Sequence, residues 1–290
     1  MKRHRGMFLG YREVLVTGGT GFLGRAVCRA LRDRGWLPRV MARPDFGDRI
    51  PAGVPNGCRV TLGDIRDGES VWNAARSTDA VVHLAGIFRE RPAEGSTFDP
   101  IHRLGTRNAI EAARAWGIDR FVHIGVAGAG PDAPTAFLRS KGSGEELVRR
   151  SGLRYTIFRP SILRGRGSVL EASLARAVRS SRWLPMAGGG ELQCRPLEVE
   201  TLAEAVASCL DRDDPPGAVF DLEGPATVAL TDLLGQAATE AGRTLRLLRG
   251  TAPASRAFAR ILTGAHPFPA GVEPLDSLLD RSTHQGRGLQ

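Results

Sequence analysis

Short, continuous apolar runs alternate along this chain with longer stretches in which apolar positions recur every three or four residues. The first run, VLVT (Val14 to Thr17), is β-branched and has no polar face, so it predicts a strand buried on both sides. FLGRAVCRALRDRG (Phe22 to Gly35) follows, with Leu23, Val27, Ala30 and Leu31 on one helical stripe and Gly35 as its stop. Five further strands are predicted at RVMAR (Arg39 to Arg43, ended by Pro44), CRVTLGD (Cys58 to Asp64), AVVHLAG (Ala80 to Gly86), RFVHIG (Arg120 to Gly125) and YTIFRP (Tyr155 to Pro160). Between them lie a short helix around Val71 to Ala75, a long amphipathic helix over Ile101 to Trp116, and a helix that holds Lys141 and runs to about Arg150. Strict strand and helix alternation implies an α/β fold with a doubly wound parallel sheet and right-handed crossovers.

After about residue 165 the rhythm loosens. A glycine-rich turn (Ala187 to Gly190), a helix at Thr201 to Leu210, a strand at Ala218 to Leu222 and a helix at Thr231 to Ala238 predict a smaller C-terminal α/β lobe packed on the sheet. The expected division is a core over 12–165, with parts of 190–225 packing on it, a lobe over 166–275 and a disordered tail over 276–290. No internal repeat is present.

Composition narrows the class. The chain has 290 residues, 42% apolar and 24% charged, which is enough to bury a substantial core. No apolar run reaches the roughly 20 residues of a membrane span, and no signal-peptide core follows MKRHRG, so the expectation is a cytoplasmic protein. The formal charge of +9 raises nucleic acid as a partner, but the arginines are scattered and interrupted by Glu13, Asp33, Asp45, Asp48 and Glu69. A generic basic surface is the better reading, and no nucleic-acid partner is expected. Cys28, Cys58, Cys194 and Cys209 form no C-x-x-C pair and stand near no His cluster, so neither a disulfide framework nor a metal site is expected.

TGGTGFLG (Thr17 to Gly24) carries the first chemistry. Gly18 permits the tight turn, Gly21 lets the backbone approach a pyrophosphate, and Gly24 lets helix and strand pack closely. The helix N-terminus then supplies amide donors and a positive dipole end, which assigns Thr20, Gly21, Phe22 and Leu23 to a dinucleotide. The second strand ends Met41-Ala42-Arg43, and an Arg there suits a 2′-phosphate, so NADP(H) is preferred over NAD(H); Asp45, past Pro44, keeps a ribose contact open. Asp64, with Ile65 beside it, stands where it would accept from an adenine amino group or cap the next helix.

Of the 40 basic residues only Lys2 and Lys141 are lysines. A chain that uses Arg almost everywhere but keeps one interior Lys points to a need for a compact ammonium whose pKa can shift. Lys141 is therefore the leading functional candidate. His83 and His123 sit inside apolar strands and read as satisfied core histidines. His102, at the start of the long helix, is the better acid/base candidate, and Arg89 and Arg91 follow the fourth strand as candidate anion binders or solvated loop cations.

These pieces resemble the atypical and extended short-chain dehydrogenase/reductases, NAD-dependent epimerase/dehydratase-like proteins. Within them they resemble the branch of the NADPH-binding 39/40-kDa accessory subunit of respiratory complex I and its bacterial relatives. The resemblance rests on TGGTGFLG, Gly63-Asp64, HLAG at His83, TFDPIHRLGTRN (Thr97 to Asn108), RFVHIG, SKGSGEE (Ser140 to Glu146), TIFRP and PLEVETLAEAV (Pro196 to Val206), and it covers about residues 12–225. It implies a Rossmann-type sheet with NADP(H) along the strand ends. Leu84, Ala85 and Gly86 would line the cofactor, Arg159, Pro160 and Ser161 would lie beside the nicotinamide, and Lys141 would hold its ribose.

Active members of that family use a Ser after the fifth strand and a Tyr-x-x-x-Lys on the next helix for proton transfer. Here Ile124-Gly125-Val126 replaces the Ser, Phe137 replaces the Tyr, and only Lys141 remains. Tyr11 and Tyr155 are the only tyrosines, and neither takes the vacant role. Two functional readings stand. One is an oxidoreductase acting on a carbonyl, enone or quinone through a non-standard relay. The other is a non-catalytic NADP(H)-binding pseudoenzyme that serves assembly or redox sensing with a protein partner.

Overall fold

The computed structural model describes residues 12–44, 53–180, 182–187, 193–212 and 217–250. Tyr11, Asp45, most of the 187–190 turn and the whole of 251–290, including the expected tail, lie outside the described residues.

The chain opens with β1 (Arg12–Thr17), α1 (Phe22–Asp33), β2 (Trp36–Ala42), β3 (Arg59–Leu62), α2 (Gly68–Ala75) and β4 (Ala80–His83). A π-helical turn over Asp99–Leu104 leads into α3 (Gly105–Ala115), followed by β5 (Arg120–Ile124), α4 (Ala136–Arg149) and β6 (Arg154–Pro160). Then come β7 (Leu163–Arg164), α5 (Val169–Ser180), β8 (Trp183–Ala187), β9 (Gln193–Cys194), β10 (Leu197–Glu198) and α6 (Val199–Cys209). β11 (Ala218–Leu222), β12 (Val228–Ala229), α7 (Leu230–Glu240) and β13 (Arg246–Gly250) complete the described elements.

Seven strands form one sheet in the order β11-β6-β5-β4-β1-β2-β3, every pair parallel. This is the doubly wound α/β arrangement, whose ligands bind outside the carboxyl ends of the strands where the order reverses, here between β1 and β4. The continuous apolar runs now have their reason, because alternate residues serve opposite faces. Val14, Val16 and Val40 pack with α1 and α6, while Leu15, Val81, Phe121 and Ile157 pack with α2, α3 and α4.

Several boundaries differ from the sequence reading. β2 starts at Trp36, ahead of Pro38, because β3 begins only opposite Arg39 and leaves the Pro a neighbour on one side alone. The long helix starts as the π-helical turn and becomes regular only at Gly105, where a Cβ would press on the Ile65 side chain. β11 belongs to the main sheet, in register with β6, and α6 packs on that sheet beside α1, so neither is part of the smaller lobe. The lobe instead has its own core of Leu170, Leu174, Leu184, Leu233 and Leu234, drawn largely from α5 and α7. No helix among the described residues is long and apolar enough to cross a membrane.

Candidate active site

The turn after β1 is shaped by what cannot fit there. Gly18 has φ +73°, and a Cβ on it would stand 2.9 Å from Ala85 N and from the Leu84 carbonyl carbon. A Cβ on Gly24 would overlap the Gly18 carbonyl oxygen. Both glycines are therefore demanded by close packing, Gly18 against Leu84 and Ala85 and Gly24 against the turn itself. Gly19, missed in the sequence reading, is equally constrained, since its Cβ would lie 2.9 Å from the Val40 methyls. Gly21 forms the N-cap of α1 without any side-chain cap, so the first-turn amides of Phe22 and Leu23 and the helix dipole suit an anion there. A dinucleotide pyrophosphate fits this cradle. Arg43 is exposed just past the end of β2, on the side where the adenosine of such a ligand would lie.

Asp64 follows β3 but is already engaged. Its carboxylate takes hydrogen bonds from Arg66 N, Nε and Nη2 at 2.9, 2.9 and 2.6 Å. Burial opposes its charge, yet the bonds and charge of Arg66, with Arg43 farther off, hold its carboxyl below the usual range. The helix cap expected of Asp64 falls to Asp67, which accepts from the Glu69 and Ser70 amides. Ile65 anchors the same corner through its carbonyl, which accepts from Asn108 Nδ2 at 2.9 Å.

α4 builds the centre of the site. Thr135 caps it, its hydroxyl accepting from Leu138 N, and positions Phe137, Lys141 and Glu145 four apart on one buried face. Lys141 Nζ donates to the Ile124 carbonyl at 2.6 Å, at the end of β5. Burial brings its pKa down to about 8, against an opposing pull from the negative charge of Glu145. An ammonium has three donors and one is spent on Ile124, so two remain for a ligand.

Glu145 explains why Gly125 is glycine. Its carboxylate is 3% exposed and holds Arg159 on β6 through Nε and Nη2, the shortest contact being 2.6 Å. A Cβ at Gly125 would overlap Glu145 Oε1 and press on Arg159 Cγ at 3.2 Å. A serine there would need the ion pair to move. The signal in the sequence was an acid one helical turn beyond Lys141, on a stripe that is otherwise buried.

Phe137 is 4% exposed, packed with Phe98 and Leu138 and bordered by Ile87, Val126 and Ala133. Phe98 and His102 meet its ring at 5.8 and 5.7 Å, both edge to face, and the half-exposed Phe88 covers it at 5.7 Å. His102, the acid/base candidate, is hydrogen-bonded at both ring nitrogens. Ser140 donates to the Phe137 carbonyl at 2.7 Å and accepts from His102 Nδ1 at 2.8 Å, while His102 Nε2 accepts from Ile87 N at 3.0 Å. Both nitrogens of a neutral ring are thereby committed, and burial, then the charge of Lys141, brings the His102 pKa to about 3.

His83 is the satisfied core histidine expected of it, bonded to Thr17 Oγ1 at 2.8 Å and Thr106 Oγ1 at 3.0 Å. Thr106 donates to the His102 carbonyl, so it accepts from His83 Nε2 and leaves Nδ1 to accept from Thr17. His123 corrects the parallel expectation. It is buried and stacked on His83 at 5.4 Å, but among the described residues neither ring nitrogen has a hydrogen-bond partner. Burial first, and then Lys141, His83 and His102, push its pKa well down. Unsatisfied buried groups cost about 1–3 kcal/mol. His123→Phe should therefore raise stability by about 1 kcal/mol in urea titrations, and a loss would count against this account.

Elsewhere, Ser161 Oγ donates to the Arg195 carbonyl at 2.6 Å, beside the buried Pro160. Arg91 pairs with Glu94 at 3.4 Å in an exposed loop. Among the described residues no group of three or more His, Cys, Asp or Glu could hold a metal.

Comparison with known proteins agrees with this geometry. The NAD(P)H-binding family matches residues 18–179. The chain belongs to that family. It is 34% identical over 173 residues to ceramide reductase of Caulobacter vibrioides (strain NA1000 / CB15N), a match that covers 60% of this chain and 53% of that protein. It is 26% identical over 227 residues to the mitochondrial NADH-ubiquinone oxidoreductase 40 kDa subunit of Neurospora crassa, covering 78% of this chain and 59% of the subunit. The chain spans between half and two-thirds of the length of these relatives. Among solved structures, UDP-glucose 4-epimerase of Thermus thermophilus superposes with a TM-score of 0.68 at 21% identity, covering 96% of this chain and 95% of that one. The NADPH-dependent quinone oxidoreductase QOR2 of Escherichia coli, at 19% identity, gives 0.70 and covers 93% and 89%. The last two share the fold. This NAD(P)H-binding family member thus has the fold of the UDP-glucose 4-epimerase and quinone oxidoreductase structures.

Proposed function

We propose that this protein is an NADPH-dependent reductase in which Lys141 is the only proton source, and that its acceptor is a quinone. The observation that carries this reading is the buried Lys141 ammonium at the end of β5, with no hydroxyl at 125 or 137 beside it. Bound NADPH would supply the hydride. The chain's own share is to bind, to exclude water and to deliver a proton. Gly18, Thr20, Gly21, Phe22 and Leu23 hold the pyrophosphate, Asp64 and Ile65 border the adenine, and Leu84, Ala85, Gly86, Pro160 and Ser161 line the nicotinamide half. Lys141 reaches the ribose with one donor and the acceptor oxygen with another.

The missing Ser and Tyr hydroxyls select the acceptor. Hydride addition to a simple ketone concentrates charge on one alkoxide oxygen, which those two hydroxyls would otherwise polarise and stabilise. Addition to a quinone leaves a phenolate-like oxygen, with a conjugate acid near about 10, close enough to Lys141 for efficient transfer. The exposed Phe88 ring, backed by the buried Phe137, supplies an apolar, flat surface suited to a planar ring. The test is stopped-flow mixing of the NADPH complex with a quinone, an enone and a ketone. Fast oxidation by the quinone alone supports the reading, whereas no oxidation by any of them sinks it.

Arg43 carries the preference for NADPH. Arg43→Glu should lower the ratio of NADPH to NADH affinity at least about tenfold, the worth of a charge-assisted hydrogen bond. An unchanged ratio by fluorescence titration would remove Arg43 from the 2′-phosphate.

A second reading, a non-catalytic NADP(H)-binding accessory protein with a protein partner, is favoured by one observation. The Glu145–Arg159 pair closes the flank of β5 where a catalytic hydroxyl is missing. Release of NADP⁺ over many minutes, with no acceptor turned over, is its expected signature.

A further inference from the structure

We propose that Arg25 is a further specificity-determining residue, one that holds the 2′-phosphate of NADPH together with Arg43; the inference rests on the proposed use of NADPH. Arg25 stands one turn into α1, its amide bonded to the Gly21 carbonyl at 3.0 Å. Its side chain, half-buried, runs back along the helix, and Nη1 donates to the Thr20 carbonyl at 2.8 Å. The guanidinium is thereby held against the phosphate turn.

That turn has two flanks, because β1 lies between β2 and β4 in the sheet. On the β4 flank, Leu84 and Ala85 close on Gly18. On the β2 flank, Gly19 rests against the Val40 methyls. A Cβ on Gly53, in the connection between β2 and β3, would stand 3.6 Å from the Thr20 carbonyl oxygen and 3.9 Å from Arg25 Nη1. Arg25 therefore belongs to the β2 flank, the one on which Arg43 follows Val40 by three residues. A dinucleotide laid across the strand ends puts its adenosine on that flank. The 2′-phosphate is the group that NADPH carries there and NADH lacks.

Charge points the same way. Arg29 on α1, Arg34 at its end and Arg39 on β2 each pair with a carboxylate. Among the described residues neither Arg25 nor Arg43 forms an ion pair. Arg25 also lies near the positive end of the α1 dipole, which opposes a cation and favours an anion. A phosphate monoester carries about −1.5 to −2 charges at neutral pH, close to one for each guanidinium. Of the five N–H donors of a guanidinium, Arg25 spends one on Thr20, so four remain for a ligand. The Thr20 bond holds the side chain before any ligand arrives, and so reduces the ordering that binding costs.

The experiment titrates the full chain with NADPH, NADH and adenosine 2′,5′-bisphosphate by calorimetry. Arg25→Met keeps an apolar stem but no charge, and should weaken NADPH about tenfold while NADH stays within about twofold. Arg25→Lys keeps the charge without the planar fork, so NADPH should weaken several-fold with NADH unchanged. The Lys variant carries the test if the Met variant does not fold. Adenosine 2′,5′-bisphosphate should follow NADPH in each variant, since it bears the 2′-phosphate and no nicotinamide. NADPH and NADH weakened alike would make Arg25 a support of the turn and overturn the inference. A wild type that prefers NADPH, with the same ratio in Arg25→Met, would overturn Arg25 alone. A wild type with no preference would overturn the use of NADPH along with it.

Discussion

Lys141→Met should slow quinone reduction by NADPH about 10²- to 10⁴-fold, the usual contribution of a positioned general acid. Binding of NADPH should weaken by only about tenfold, one charge-assisted hydrogen bond. The fold should not suffer. Burial lowers the Lys141 pKa from its ordinary 10.5 to about 8, so below pH 8 the charged side chain opposes folding in full. That opposition fades as pH rises from about 8 towards 10.5, and an apolar Met removes it at every pH. The same shift sets the rate profile. The acid form is the competent one, so the wild-type rate should be flat at low pH and fall as pH rises through about 8. Single-turnover measurements across pH 6–10 check both statements. A variant that loses Tm in step with rate would reveal a structural lysine, and a wild-type rate that climbs through pH 8 would exclude it as the acid. Lys141→Arg should not rescue, because a guanidinium stays charged and cannot release the proton.

Glu145→Ala should cost about 3 kcal/mol of stability, at the lower end of what removing one partner of a buried pair costs. Glu145 is 3% exposed and Arg159 23%, so the truncation strands a guanidinium that has only limited access to water. Replacing both partners with Met should recover most of the loss, since an apolar pair of similar volume carries no desolvation penalty. Urea midpoints of the two single variants and the double variant form the cycle that tests this. A loss below about 1 kcal/mol for Glu145→Ala would mean that the pair behaves as a surface bridge. The result also bears on the missing serine. A fold that depends on Glu145 cannot regain a side chain at Gly125 by one substitution.

Local physics explains why some of this was readable before folding. The strand runs, the helical stripes and the glycine spacing of Thr17 to Gly24 are set by periods of 2 and 3.6 and by backbone sterics, which act within a few residues. Phe137 and Lys141 were readable as a pair for the same reason, being four apart on one helix. Pairings across the sheet were not. His102 looked like an acid/base because its sequence context is a helix start; only the approach of Ile87 and Ser140, from separate segments, commits its nitrogens. His83 and His123 share one sequence context, and only Thr17 and Thr106 separate the satisfied ring from the unsatisfied one.

By itself, then, the order of residues determined the α/β alternation, the dinucleotide turn and the lone interior lysine, because each is encoded over one or two turns of chain. Tertiary structure alone decided that β11 completes the sheet and that Glu145 and Arg159 fill the flank of Gly125. Those outcomes rest on contacts between residues 14 to more than 60 positions apart, and burial gives such contacts their strength.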